Sequence, residues 1–169
     1  ITYNSHMQPD FDDIRFTWLN TSSNQEQKIP YWIENKSNGE WAYVWIKVPE
    51  ISANSIGTIY LYYGNPIAVS QSNGDEVFEV FDDFETGNLD KWNVSVWGGV
   101  PYGVTGEDKY SGNYSRYVGP SSCGASCFDD YRVEFTWSES IALPPGNYTF
   151  SYWRHEPKDW GGRLYIFVN

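Results

Sequence analysis

Between Glu40 and Val48 the chain alternates without a break. Ala42, Val44, Ile46 and Val48 fall on one side of an extended strand, and Trp41, Tyr43, Trp45 and Lys47 fall on the other. Similar runs recur every ten or so positions, the rhythm of a β-sandwich. Phe11 to Trp18 follows the short β-like opening Ile1-Thr2-Tyr3, and Thr58 to Tyr63 ends at the turn signal Gly64-Asn65-Pro66. In the second half Tyr131 to Trp137, Asn147 to Arg154 and Arg163 to Val168 read alike, with Leu143-Pro144-Pro145-Gly146 turning the chain before the middle run. One stretch departs from period 2. From Ser72 to Phe81 the apolar residues fall at 77, 78, 80 and 81, with Asn73, Asp75 and Glu76 ahead of them, where a helix N-terminus favours capping and acidic side chains. The pattern predicts a short helix there, closing a first module and placing a boundary between 78 and 84. The expected fold is all-β: two β-sandwich modules, residues 1–80 and 81–169.

Composition agrees with pleated, half-buried surfaces. Aromatic residues make up 19% of the chain (9 Trp, 14 Tyr, 9 Phe), and 15 Gly and 9 Pro supply turns. Eleven basic against 22 acidic residues give a formal charge of −11. Such a surface repels nucleic acid and anionic membranes, whose binding depends on Lys and Arg neutralising phosphates. No run of ~18 apolar residues is present, so direct membrane insertion by a helix is not expected.

The chain opens on Ile1 with no signal peptide, which predicts a processed or partial chain. Export is inferred instead from Asn-x-Ser/Thr sequons at Asn20, Asn35, Asn93, Asn113 and Asn147. Thirteen Asn and 25 Ser or Thr in 169 residues give about two such triplets by chance, so five favour a glycosylated, extracellular or cell-surface chain. All five side chains are expected to be exposed, with Asn20 and Asn35 as the preferred acceptors because they lie in the most polar stretches. The two cysteines, Cys123 and Cys127, flank Gly-Ala-Ser; in an exported chain this spacing predicts a local disulfide pinning a loop.

Four ordered segments carry a family resemblance: Met7-Gln8-Pro9-Asp10-Phe11-Asp12-Asp13-Ile14-Arg15-Phe16-Thr17, Ile29-Pro30-Tyr31-Trp32-Ile33-Glu34, Ala42-Tyr43-Val44-Trp45-Ile46-Lys47-Val48-Pro49, and Thr58-Ile59-Tyr60-Leu61-Tyr62-Tyr63-Gly64-Asn65-Pro66. Together they resemble DUF2341, a domain of unknown function in bacterial and archaeal surface proteins. The second half resembles jelly-roll modules of the carbohydrate-binding and MAM-like kind, through Phe81–Trp92, Tyr110–Ser115, Leu143–Trp153 and Gly162–Val168. That resemblance implies a sandwich continuing for several strands beyond Asn169.

No catalytic set is expected. Two His and no Gly-x-Ser-x-Gly elbow leave nothing to activate a hydroxyl nucleophile, and Asp82, Asp83 and Glu85 cluster without the Glu-x-Asp-x-Glu spacing of lectin-like glucanases. Structural calcium is the credible cofactor, because Asp82, Asp83 and Glu85 open the second module with hard oxygen donors, and Glu107 and Asp108 could complete a site. Asp10, Asp12 and Asp13 form a second acidic group, read as turn acids. Trp97, Tyr102, Tyr110 and Trp160 sit near glycines in predicted loops, where rings can stack on sugars. The expected role is a non-catalytic structural or adhesive block of a cell surface, a filament subunit assembled by strand sharing among them. The alternative is a carbohydrate-binding module of a larger secreted protein. Expected partners are copies of itself, further domains of the same chain, or glycans. Strand sharing would follow if Ile1-Thr2-Tyr3 and Arg163–Val168 left an unpaired sheet edge.

Overall fold

A computed structural model describes residues 1–51, 53–119 and 132–154. The chain divides into two compact units, Ile1–Asp83 and a second beginning at Phe84. Both are all-β apart from one four-residue helix among the described residues.

The first unit holds two antiparallel sheets. Strand β1 (Arg15–Asn20) lies between β2 (Gln25–Ile29) and β5 (Ile59–Tyr62), and β3 (Tyr31–Ser37) pairs with β4 (Trp41–Ile46). Both sheets feed one core: Phe16, Trp18 and Ile29 from the first, Tyr31 and Ala42 from the second, with Met7, Phe11 and Ile14 from the segment before β1. Ile33, Val44, Ile46 and Leu61 pack against its margin. Burying each large side chain in this set contributes about 1.5–3 kcal/mol. Alternation therefore reads correctly along β4: Ala42 is 1% exposed, while Tyr43 and Trp45 point outward. Strand β2 gives no such signal, because Gln25 to Lys28 are all exposed and only Ile29 turns inward.

The first predicted strand is shorter than its apolar pattern suggests. Phe11 sits at φ 62, a conformation unusual for a bulky residue, inside a turn closed by Phe11 N–H donating to the Gln8 carbonyl at 3.0 Å. Extended backbone begins only at Arg15. The apolar residues Phe11 and Ile14 reach the core from a coiled segment that Asp13 holds in place. Its carboxylate accepts the Gln8 N–H at 3.0 Å and the Gly64 N–H at 2.6 Å. Asp13 is 3% exposed, so it is a buried internal acceptor and not the solvated turn acid the sequence suggested. The Gln8 side-chain amide adds bonds to the carbonyls of Asn65 and Ala68, and Arg15 donates to the carbonyl of Val69.

Both outer edges of the β3–β4 pair are occupied. Ile1 and Ala42 exchange bonds in both directions, and Tyr3 N–H donates to the Glu40 carbonyl at 2.8 Å. On the β3 side, Asn73 N–H donates to the Tyr31 carbonyl, and Ile33 N–H to the Ser72 hydroxyl. The opening segment thus covers an edge of β4. Residues 163–168, which the strand-sharing expectation also names, lie outside the described residues. Helix α1 (Gly74–Val77) follows, with Asn73 as its N-cap accepting the Asp75 N–H at 3.0 Å.

In the second unit β6 (Trp92–Trp97) pairs with β9 (Arg132–Trp137), and β7 (Tyr102–Thr105) pairs with β8 (Ser115–Val118), both antiparallel. Trp92 meets Trp137 edge-on at 5.2 Å, and Arg116 lies over the Phe135 ring at 4.1 Å. Residues 147–154 form no strand, contrary to their alternation. All of them are exposed, and no ladder partner lies beside them among the described residues; the Tyr148 hydroxyl instead donates back to the Pro144 carbonyl.

Candidate functional site

The register of β3 and β4 decides which side chains share the outer face of their sheet. Trp32 lies opposite Trp45, and Ile33 opposite Val44, so the tryptophans point out and the aliphatics in. At that point a β-bulge intervenes: the next aligned pair is Asn35 with Tyr43, leaving Glu34 as the extra residue. Without it Asn35 would align with buried Ala42. With it, Asn35 and Ser37 join the outer face, opposite Tyr43 and Trp41.

This face is aromatic from end to end. Trp41 and Tyr43 pack at 4.8 Å between centroids, tilted by 49°. At the other end Phe78, just past α1, meets Trp45 at 5.5 Å and Trp32 at 5.7 Å, while Phe81 meets Trp32 at 4.7 Å. The segment after the helix therefore packs against one end and leaves the other open. Tyr43 remains 64% exposed and Trp45 47%. The Trp45 ring is oriented by its Nε1–H, which donates to the Glu34 carboxylate at 2.8 Å. Lys47 at the margin is paired with Glu79 at 3.2 Å. The three rings spring from alternate residues of one strand, whose backbone positions are about 6.6–6.8 Å apart per step, on a support that both neighbouring segments brace.

The outer face of the other sheet is organised differently. There Glu26 accepts from the Thr17 hydroxyl at 2.7 Å and the Tyr62 hydroxyl at 2.6 Å. The Thr17 bond, with that of Tyr62, holds the Glu26 carboxyl below its ordinary range, and the same Glu26 bond pushes the Tyr62 phenol up. Tyr62 is thus tethered in place.

The residues singled out for calcium are divided between units: Asp82 and Asp83 end the first, while Glu85, Glu107 and Asp108 belong to the second. Glu85 serves the loop before β8. Its two oxygens accept the Asn113 N–H at 2.7 Å, the Tyr114 N–H at 2.8 Å and the Asn113 side-chain amide at 2.9 Å. Burial alone raises this carboxyl, but the Tyr114 and Asn113 donors, with Lys109 nearby, outweigh burial and hold it below its ordinary value. Among the described residues no three His, Cys, Asp or Glu side chains gather as a metal would need.

The predicted stacking residues that the structure describes stand on separate elements. Trp97 ends β6 at 43% exposed, and Tyr102 opens β7, meeting Phe135 edge-on at 6.0 Å. Tyr110 has one face covered by Trp153, parallel to it at 3.8 Å. Trp160, Cys123 and Cys127 lie outside the described residues. Of the sequons, Asn93, Asn113 and Asn147 are exposed; Asn20 and Asn35 are half-buried, a correction to the expectation of full exposure. The cause at Asn20 is an Asx turn, its Oδ1 accepting from the Ser22 and Ser23 N–H groups. The aromatic face of β3–β4 was not singled out as a site. Its signal was nevertheless in the alternation, which sends small aliphatics inward and three large rings outward.

An uncharacterized protein of Methanocaldococcus jannaschii is 26% identical over 87 residues, covering 48% of this chain and 16% of its own length, so the chain corresponds to a small part of that relative. No solved structure matches the chain significantly. The family described as "Domain of unknown function (DUF2341)" matches residues 10–97, running past the division at Asp83 to the end of β6. That match takes in 88 of the 169 residues, and the chain belongs to the DUF2341 family.

Proposed function

We propose that this chain is a non-catalytic, extracellular adhesive module that contacts carbohydrate through the outer face of β3–β4. The carrying observation is the row Trp41, Tyr43 and Trp45, held outward on a braced sheet with Tyr43 64% and Trp45 47% exposed. Burying a ring of this size removes about 150–250 Å² from water, a gain these rings forgo. Kept on the surface, their flat faces suit the C–H face of a sugar ring, and the sheet holds them at little conformational entropy. The acidic balance of the chain disfavours anionic polymers, so neutral polysaccharide is the ligand class this reading selects.

The test is affinity electrophoresis of the chain, produced without glycosylation, in gels containing neutral or anionic polysaccharides. Retardation by a neutral polymer, weakened about tenfold or more by Tyr43→Ala or Trp45→Ala, is the expected result for ring anchors at the centre of a contact. Migration unchanged across the whole neutral panel would remove the reading.

A further inference from the structure

We infer that Asn35 is an N-glycan acceptor whose sugar lies over Tyr43, closing the open end of the aromatic face. The modification stands on the placement of Asn35; its effect on polymer binding rests on the reading proposed above.

Three observations converge on this residue. Asn35-Lys36-Ser37 is an acceptor triplet. The bulge at Glu34 then moves Asn35 from alignment with Ala42, 1% exposed, to alignment with Tyr43, 64% exposed. Finally, the Asn35 Oδ1 accepts the Lys36 N–H at 2.8 Å, which fixes the amide, while its Nδ2 makes no hydrogen bond among the described residues. The Nδ2 of Asn113, by contrast, is taken by Glu85. Side chains directly opposite on an antiparallel pair have Cβ atoms about 4.5–5.5 Å apart. The first sugar on Asn35 therefore comes within reach of the Tyr43 ring, with Trp41 beside it.

The co-reactant is a lipid diphosphate-linked oligosaccharide. The Asn35 amide nitrogen attacks the anomeric carbon, the carbon–oxygen bond to the diphosphate breaks, and the lipid diphosphate leaves. The nitrogen gives up one proton to a base of the transferase, and no electrons change hands. The attached glycan then occupies the surface that a foreign polysaccharide would need, so glycosylation and polymer binding exclude each other at this face.

The experiment secretes the full chain from a eukaryotic cell that carries out N-glycosylation. Asn35-containing peptides are analysed by mass spectrometry before and after enzymatic deglycosylation in heavy-oxygen water. Conversion of Asn35 to labelled Asp is expected; an unmodified Asn35 peptide overturns the inference and leaves the proposed function standing. Binding is compared for the glycosylated chain, the same chain after deglycosylation, and the variants Asn35→Gln and Ser37→Ala. Both variants and the deglycosylated chain should bind neutral polysaccharide about tenfold more tightly than the glycosylated one, as uncovering one ring anchor implies. Equal binding by all four, with Asn35 modified, overturns the exclusion. Absence of binding by all four counts against the proposed function, and the occupancy of Asn35 still decides the modification.

Discussion

The Asp13 carboxylate accepts the backbone N–H of Gly64 at 2.6 Å, across 51 residues of sequence, and so ties the segment before β1 to the turn that leaves β5. The same carboxylate caps Gln8, and the whole group is 3% exposed. A buried donor that loses its acceptor is left with most of its desolvation penalty. Asp13→Ala orphans two at once, and should destabilise the first unit by about 2–4 kcal/mol in urea unfolding. A loss below about 0.5 kcal/mol would show that water replaces the carboxylate without penalty.

Gly74 opens α1 directly beneath the ring of Phe81. A Cβ built there would stand 2.2 Å from the Phe81 Cζ, so the ring or the helix must shift to admit it. Gly74→Ala should displace Phe81 from its edge-on contact with Trp32 and lower the melting temperature, the overpacking penalty being about 1–3 kcal/mol. Phe81→Leu in the same background should recover part of the loss, because the smaller side chain yields the space. Failure of both variants to change the melt would mean that Phe81 is not packed on the helix.

Glu85 makes the second unit sensitive to acid. Its folded carboxyl is held below the ordinary 4.5. A depressed carboxyl contributes stability that is full above the unfolded value and lost as pH falls through the folded one. Protection of the Asn113 and Tyr114 amides, taken relative to the intrinsic exchange rate at each pH, should therefore fall below about pH 4.3, and Glu85→Gln should lower it already at neutral pH and flatten the acid dependence. Protection of these two amides that ignores both pH and the substitution would contradict the role of the carboxylate.

Tyr43 separates binding from folding. Its side chain is mostly in water and lies outside the core set, so Tyr43→Ala should change stability by no more than about 0.5 kcal/mol while weakening polysaccharide retardation. Ala42→Asp, one residue away, is the control of opposite kind. It places a charge in a position that is 1% exposed and should unfold the first unit. If Tyr43→Ala proved as destabilising as a core substitution, the aromatic row would be a packing surface and not a contact surface.

The sequence by itself determined the all-β class, the inward and outward faces of β4, the cap and acidic first turn of α1, and the family motifs over the first unit. Each rests on neighbours at fixed short spacing, where side-chain period and local hydrogen bonding suffice. Tertiary structure decided the rest. Phe11 reads as strand, yet sits in a left-handed turn because Asp13 reaches residue 64. Residues 147–154 alternate, yet form no strand beside the described residues, since alternation supplies a face but not a ladder partner. Asn35 reads, with Asn20, as a sequon in a polar stretch, and only the extra residue at Glu34 sets it opposite an exposed ring. In each case the deciding contact joins residues distant in sequence, or shifts a register by one position, and a period of two inverts the facing of a side chain with a single-residue shift.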